Sequence, residues 1–178
     1  MIKQLLPKCK IKVSLIDMID DETVGQYDPR SDVILIDRTF KKDFPHTSLL
    51  VLLHELMHST MVSTRTLRIN RLIHKFGEFK KGSTSYRAEE CISELAAMVL
   101  ARQLGIATAS SMGAFTHGIT KYYKKDMYIP WKEVVSAVRY YADDDTDFTV
   151  ALRFVRNYIQ FRHQVDIREG YETNSNSV

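Results

Sequence analysis

The sequence predicts an α+β domain in which a small antiparallel or mixed sheet packs on a pair of helices, with further helices toward the C-terminus. Short alternating or β-branched segments occupy residues 9–37, and helical periodicity runs from residue 45 to residue 163. The 178 residues are 44% hydrophobic and 26% charged, which is typical of a globular domain with a buried core. We therefore expect a single domain over residues 1–168 and a disordered polar tail over residues 169–178.

Three short strands are predicted before the first long helix. The first covers residues 9–17, where apolar and polar side chains alternate, and the second covers residues 23–27 after a turn at 20–22. A tight turn at residues 28–31 leads to the third strand, residues 32–37, which is rich in β-branched side chains. Such closely spaced strands predict an antiparallel meander. The third strand would then form an edge to which an extended peptide could add.

A first helix is predicted to begin at Pro45, with Thr47 or Ser48 as its cap. It continues, bent or broken, through residue 75, and the Phe-Gly pair at residues 76–77 ends it.

After a polar loop at residues 80–85, the clearest helix is predicted over residues 86–104, where apolar side chains recur on one face and Gly105 follows as a stop. Three more helices are predicted over residues 109–125, 131–142 and 148–163.

Composition excludes several classes of protein. The net charge of +3 is too small to indicate a polyanionic partner by itself. Cys9 and Cys91 form no disulfide framework and no thiolate zinc pattern, so both are expected to be buried free thiols. No stretch approaches the roughly 20 apolar residues of a membrane span, and the N-terminus lacks a signal-peptide core. We expect a cytoplasmic protein without a membrane partner.

The pentapeptide His-Glu-Leu-Met-His at residues 54–58 predicts a zinc site. Residues four apart share a face of a helix, so His54 and His58 can bind one zinc ion while Glu55 stands beside them. Zinc activates a bound water and polarises a carbonyl, and Glu55 is positioned to act as the general base. The chemistry that this arrangement favours is hydrolysis of a peptide bond.

A third protein ligand is needed to complete a tetrahedral site with one water. A third histidine six residues after the motif is excluded, because Thr64 occupies that position. The second predicted helix offers glutamates instead, and we expect Glu90 to bind the metal while Glu94, one turn later, orients a histidine. Glu89 and His74 remain alternatives to Glu90 as the third ligand.

Two further groups of residues are candidates for function. The oxyanion that forms during hydrolysis needs a hydrogen-bond donor. The candidate donors are His117, Tyr122, Tyr123 and Tyr128. Basic residues also recur at helical spacing after the motif, which favours either a solvated helix face or a strip that contacts single-stranded DNA. These residues are Arg65, Arg68, Arg71 and Lys75.

These motifs together resemble the zincin-like metallopeptidase domain of the ArdC antirestriction and phage polyvalent proteins. The resemblance covers about residues 25–106 and is carried by Leu53–Thr60, Arg71-Leu72, Phe76-Gly77 and Tyr86–Glu94. It implies a zincin-like fold with a metal-binding helix pair and a gluzincin-like peptidase that acts on a protein or peptide. It also implies a phage or mobile-element origin, with action in a bacterial cytoplasm. The alternative is a non-catalytic antirestriction protein that binds DNA or a host factor and whose metal is structural.

Overall fold

The computed structural model describes residues 10–17, 23–62, 64–142 and 145–171. These residues form five strands and seven helices. The strands are β1 (Lys12–Ile16), β2 (Gly25–Asp28), β3 (Val33–Asp37), β4 (Ile129–Pro130) and β5 (Ile167–Arg168). The helices are α1 (Arg38–Asp43), α2 (Pro45–Ser59), α3 (Arg68–Phe76), α4 (Thr84–Gln103), α5 (Ala109–Tyr122), α6 (Trp131–Tyr141) and α7 (Thr146–His163).

The first three strands form a mixed sheet in the order β1-β3-β2. β3 lies in the centre, parallel to β1 and antiparallel to β2. The predicted meander is therefore wrong, and so is the placement of the third strand at an edge. Ile34 and Ile36 of β3 are buried almost completely, as expected of a central strand. The alternation of side chains predicts a strand but not its neighbours, because pairing is decided by packing between distant segments.

The helix with the histidine motif, α2, begins with Pro45 at its first position. Neither Thr47 nor Ser48 caps it: its N-terminus has no side-chain cap, and the Ser48 hydroxyl instead donates to the carbonyl of Pro45. α2 ends at Ser59, and α3 begins separately at Arg68. The prediction of a broken helix is therefore confirmed.

Local signals account for two further helix boundaries. Gly77 follows α3 with a φ of 87°, a left-handed value that glycine adopts without the strain of a Cβ. The short helix α1 was not predicted. It is capped by the Asp37 side chain, which accepts a hydrogen bond from the backbone N–H of Phe40.

The core is built around α4, which packs against α2, α3, α5, α6 and α7. Most of its 20 residues are buried, and Ile92, Leu95 and Leu100 are fully inaccessible to solvent. Because α4 contacts helices on every side, any polar side chain on it must find a partner within the protein. The glutamates at positions 89, 90 and 94 are all on this helix.

The C-terminal helices lie close to their predicted positions, and α7 is followed by β5, which pairs in parallel with β4. The prediction of a turn at residues 20–22, the predicted burial of Cys9 and most of the predicted tail, residues 172–178, lie outside the described residues. Cys91 is a buried free thiol whose pKa is raised by burial. Within the described ranges, no helix is both long and apolar enough to cross a membrane.

Candidate metal centre

α2 brings the motif to the surface of the core at a cleft. Leu53, Leu56 and Met57 are fully buried against the core, whereas His54 and His58 remain partly exposed on the cleft side of the helix. The buried and the exposed side chains lie on different faces of α2 because positions four apart in a helix share a face. The facing helix, α4, contributes the carboxylates opposite them.

Three ligand atoms meet here with the spacing of a tetrahedral metal site. The Nε2 atoms of His54 and His58 are 2.9 Å apart. Glu90 Oε2 lies 3.5 Å from Nε2 of His54 and 3.6 Å from Nε2 of His58. A zinc ion bound at about 2.0–2.1 Å places its ligand atoms about 3.3–3.4 Å apart. Among the described residues, these three form the group of side chains that could hold a metal ion. The donor set of two imidazoles and one carboxylate suits zinc.

Glu89 and His74, which the sequence also offers as a third ligand, do not reach this point. The carboxylate of Glu89 faces the other ring nitrogen of His58, and Arg68 holds it there. His74 is exposed on α3 and does not belong to the group. Glu90 is therefore the side chain that the structure brings to both histidines.

A second carboxylate stands behind His54. Glu94 Oε1 lies 3.4 Å from Nδ1 of His54, although this buried nitrogen makes no hydrogen bond of good geometry with the described residues. The carboxylate rests against the backbone of α5 at Gly118, where an added Cβ would lie 2.0 Å from Glu94 Oε1. Glycine at this position leaves the space that the carboxylate occupies. Glu94 lies where the sequence predicts an orienting group.

His58 is supported by a network that sequence reasoning did not predict. Its Nδ1 lies 3.2 Å from Glu89 Oε1 and 3.1 Å from the Ser93 hydroxyl, which itself donates to Glu89. Arg68 donates two hydrogen bonds to the Glu89 carboxylate, at 2.6 and 2.7 Å. Both members of this ion pair are buried almost completely. The spacing of Glu89 from the motif gave no indication of Arg68 as its partner, because the contact joins two different helices.

Glu55 faces the edge of the sheet. Its Oε2 accepts a hydrogen bond of 2.7 Å from the backbone N–H of Tyr27 on β2. The N–H of Asp37 donates to the carbonyl of Val24, and hydrogen-bonded positions alternate along an antiparallel pair. The backbone groups of Gly25 and Tyr27 therefore point away from β3, toward α2 and the cleft.

The carboxylates shift the proton affinities of the two histidines. Burial lowers the pKa of His58, and so does the charge of His54, but the two glutamates that it contacts raise it to about 9. Burial also lowers the pKa of His54, yet Glu94 and Glu90 hold it well above its ordinary value. The pKa of Glu90 is raised by burial but held well below its ordinary range by the two imidazoles. Without a metal, the carboxylates therefore favour the protonated form of each imidazole.

A cleft of about 920 Å³ opens over this centre, between β2 on one side and the N-terminal part of α4 on the other. Of the four candidate oxyanion donors, Tyr122 lines it. His117 is exposed outside the cleft lining, and the hydroxyl of Tyr123 accepts a hydrogen bond from the N–H of Asp166. Tyr128 is buried beside Phe76, with Lys75 and Arg168 over its ring.

The cleft also contains Tyr86, an aromatic residue that was not among the predicted oxyanion donors. Burial raises the pKa of the Tyr86 hydroxyl, and the adjacent Glu90 carboxylate raises it further. The ring of Tyr122 packs edge-on against that of Tyr86, with centroids 6.1 Å apart.

The predicted basic strip does not form a common surface. Arg65 forms a bidentate ion pair with Asp32, and Arg71 forms one with Glu133. Arg68 is fully buried and so cannot contact a nucleic acid. Lys75 lies over the ring of Tyr128. The spacing predicted that these residues share one helix. In the structure α2 ends before Arg65, and the arginines turn toward separate carboxylates.

Comparison with known proteins agrees with this geometry. The sequence profile of a family described as zincin-like metallopeptidase matches residues 10–128, which include β1, the motif helix and α4. No curated protein and no solved structure matches the chain.

Proposed function

This chain belongs to the zincin-like metallopeptidase family, and on that basis we propose that it is a zinc-dependent enzyme that hydrolyses peptide bonds in a protein or peptide substrate. One observation carries the proposal: the ligand atoms of His54, His58 and Glu90 are spaced for a tetrahedral ion, and Glu55 lines the same cleft. A phage or mobile-element origin, with action in a bacterial cytoplasm, is part of the proposal and is supported by the resemblance to the antirestriction and polyvalent proteins.

His54, His58 and Glu90 would hold one zinc ion and leave a fourth position for water. A zinc ion bound there would supply a water of near-neutral pKa and a Lewis acid that polarises the carbonyl of the scissile bond. Glu89 lies within hydrogen-bond distance of the non-ligating nitrogen of His58 and would fix its tautomer, and Glu94, whose Oε1 lies 3.4 Å from the non-ligating nitrogen of His54, would orient this ring through its charge.

Glu55 acts as the general base. Its carboxylate would take a proton from the water and deliver it to the leaving amine, while the N–H of Tyr27 holds Oε2 in place. The hydrogen bond to Tyr27 also fixes the carboxylate relative to β2, which positions the base relative to any peptide on that strand.

The substrate binds as an added strand along β2. The N–H of Tyr27 is held by Glu55, but the outward N–H and carbonyl of Gly25 and the carbonyl of Tyr27 can pair with an extended peptide, which would then cross the cleft beside Glu55. A Cβ at residue 25 would lie 2.3 Å from Val51 Cγ1, so glycine allows β2 to approach α2 this closely. The edge is thus β2 rather than the third strand.

The oxyanion donor is Tyr122, since it is the candidate whose side chain lines the cleft. Tyr86 contacts Glu90 and supports the ring of Tyr122 from behind.

The test combines metal analysis with cleavage of a peptide library. We expect about one equivalent of zinc in the wild type, a large loss in His58→Ala and no loss in His74→Ala, a matched control at an exposed histidine. Glu55→Gln should retain zinc and lose cleavage by a factor of about 10² or more. Metal content that is unchanged in His58→Ala, or full activity in Glu55→Gln, would contradict the proposal.

The alternative is a non-catalytic protein with a structural metal that binds DNA or a host factor. It is less well supported, since the arginines that motivated it are paired with carboxylates or buried. It requires Glu55→Gln to retain the full biological effect, so the same variant separates the two functions.

A further inference from the structure

The wall of the cleft that faces β2 carries three cationic side chains that take no part in the proposed hydrolysis. They come from the loop before α4, from the first turn of α4 and from the last turn of α5. These residues are Lys81, Arg87 and Lys121. The aromatic rings of Phe79, Tyr86 and Tyr122 lie among them and form a chain of edge-on contacts.

The two lysines carry most of the uncompensated charge of this wall. Lys81 and Lys121 are exposed, and neither forms an ion pair with a residue in the described ranges. Nζ of Lys121 lies 5.2 Å from the centroid of the Tyr122 ring. Arg87 forms an ion pair of 3.4 Å with Asp126 and donates to the carbonyl of Gly82 and the hydroxyl of Thr84, while its buried Nε has no hydrogen-bond partner among the described residues.

Among the described residues, four carboxylates line the cleft: that of Glu55 lies at β2, where it accepts a hydrogen bond from the N–H of Tyr27, and the other three already have partners among the arginine and histidine side chains. Glu89 is paired with Arg68, Glu90 contacts both histidines, and Glu94 contacts one of them. Asp126 is 65% exposed and does not line the cleft. The positive end of the α4 dipole, close to Lys81, adds to the positive potential.

We infer that the cleft selects peptides with a glutamate or aspartate side chain on the side of the scissile bond that lies against Lys81, Arg87 and Lys121. This inference rests on the proposed function, because it assumes a peptide paired with β2. A peptide has the backbone donors and acceptors that the open edge at Gly25 and Tyr27 requires. A nucleic acid carries negative charge but has no backbone that can pair with a strand.

A peptide library with fixed acidic, neutral or basic residues on each side of the cleavage point tests the inference. Exposed ion pairs each contribute about 1.5- to 5-fold, so three cations predict a preference for acidic residues of about tenfold in kcat/KM. Lys121→Glu should abolish this preference or shift it toward lysine and arginine. Lys125→Glu makes the same change of charge at an exposed position outside the cleft, and it should leave the preference intact.

Direct binding gives a second readout that does not depend on turnover. Zinc-loaded Glu55→Gln should bind a fluorescent acidic peptide about tenfold more tightly than its amide counterpart, and Lys121→Glu in that background should remove the difference. Added salt should weaken the binding.

The outcomes separate the two claims. If the wild type with zinc cleaves no peptide in the library, the proposed function fails. If it cleaves peptides without an acidic preference, or with a preference that Lys121→Glu leaves unchanged, the inference fails and the function stands. Displacement of the acidic peptide by a single-stranded oligodeoxynucleotide at equal concentration would also overturn the inference, because it would show recognition of phosphate.

Discussion

Replacement of Arg68 by methionine should destabilise the protein and weaken zinc binding at the same time. The guanidinium group makes four hydrogen bonds: two to Glu89, one of 2.7 Å to the Thr60 hydroxyl and one of 2.9 Å to the carbonyl of Met57. It is fully buried, and its carboxylate partner is 1% exposed. Methionine fills much of the same volume but donates no hydrogen bond.

The size of the effect follows from burial. Loss of one partner of a buried ion pair leaves an uncompensated charge and costs about 3–5 kcal/mol. The carboxylate of Glu89 also faces Nδ1 of His58, and loss of such support for a metal-bound histidine weakens metal affinity by about 10- to 100-fold. Urea unfolding of the metal-free protein gives the first quantity. Competition with a chelating dye gives the second.

Two companion variants make the result decisive. Arg71→Met removes a bidentate pair whose carboxylate, Glu133, is likewise 1% exposed, so a comparable loss of stability is expected, but zinc affinity should not change because Glu133 does not line the metal-binding cleft. The double variant Arg68→Met with Glu89→Leu removes both charges and should recover much of the stability, but not the zinc affinity, because His58 still lacks its partner. A loss below about 1 kcal/mol in Arg68→Met would refute the reasoning, and so would unchanged zinc affinity in a folded Arg68→Met protein.

Three further predictions follow from the same site. Gly118→Ala should displace the Glu94 carboxylate and weaken zinc binding about tenfold. Gly113→Ala on the same helix should not, since a Cβ there meets no atom within 4 Å. Equal zinc affinities of the two variants in dye competition would contradict this. His58 has a pKa of about 9, so zinc must displace a proton from it below that pH. Zinc affinity should therefore fall as the pH drops from about 9 toward about 6. Calorimetric titrations that give the same affinity across this range would argue against it. Tyr122→Phe should lower kcat about 10²-fold with zinc content and KM unchanged; steady-state kinetics that show only a change in KM would remove Tyr122 from the role of oxyanion donor.

The secondary structure was largely predictable, because its signals are local. Gly77 and Gly105 end helices where the sequence placed stops, and both have positive φ. The periodicity of α4 reflects the burial of one helix among five others. The order of the strands was not predictable, since β3 pairs with β1 as well as with β2, and no local pattern encodes that choice.

The basic strip shows the limit of reasoning from spacing. Arg65 and Arg68 are three residues apart in the sequence, yet one pairs with Asp32 beside the sheet and the other with Glu89 in the core. The described residues between α2 and α3 are not helical, so the spacing no longer places these side chains on one face. Such pairs are formed by segments far apart in the sequence.

The motif could be recognised and its chemistry predicted from the amino-acid order alone, because the relation between His54, Glu55 and His58 is contained within one turn of a helix. The sequence also indicated the family, which the match over residues 10–128 confirms. The choice of ligand, by contrast, depends on tertiary packing: Glu90 approaches both histidines while Glu89 turns to Arg68. Neighbouring residues on a helix differ in direction by about 100°, so the way α4 packs on α2 decides which of the two carboxylates faces the site.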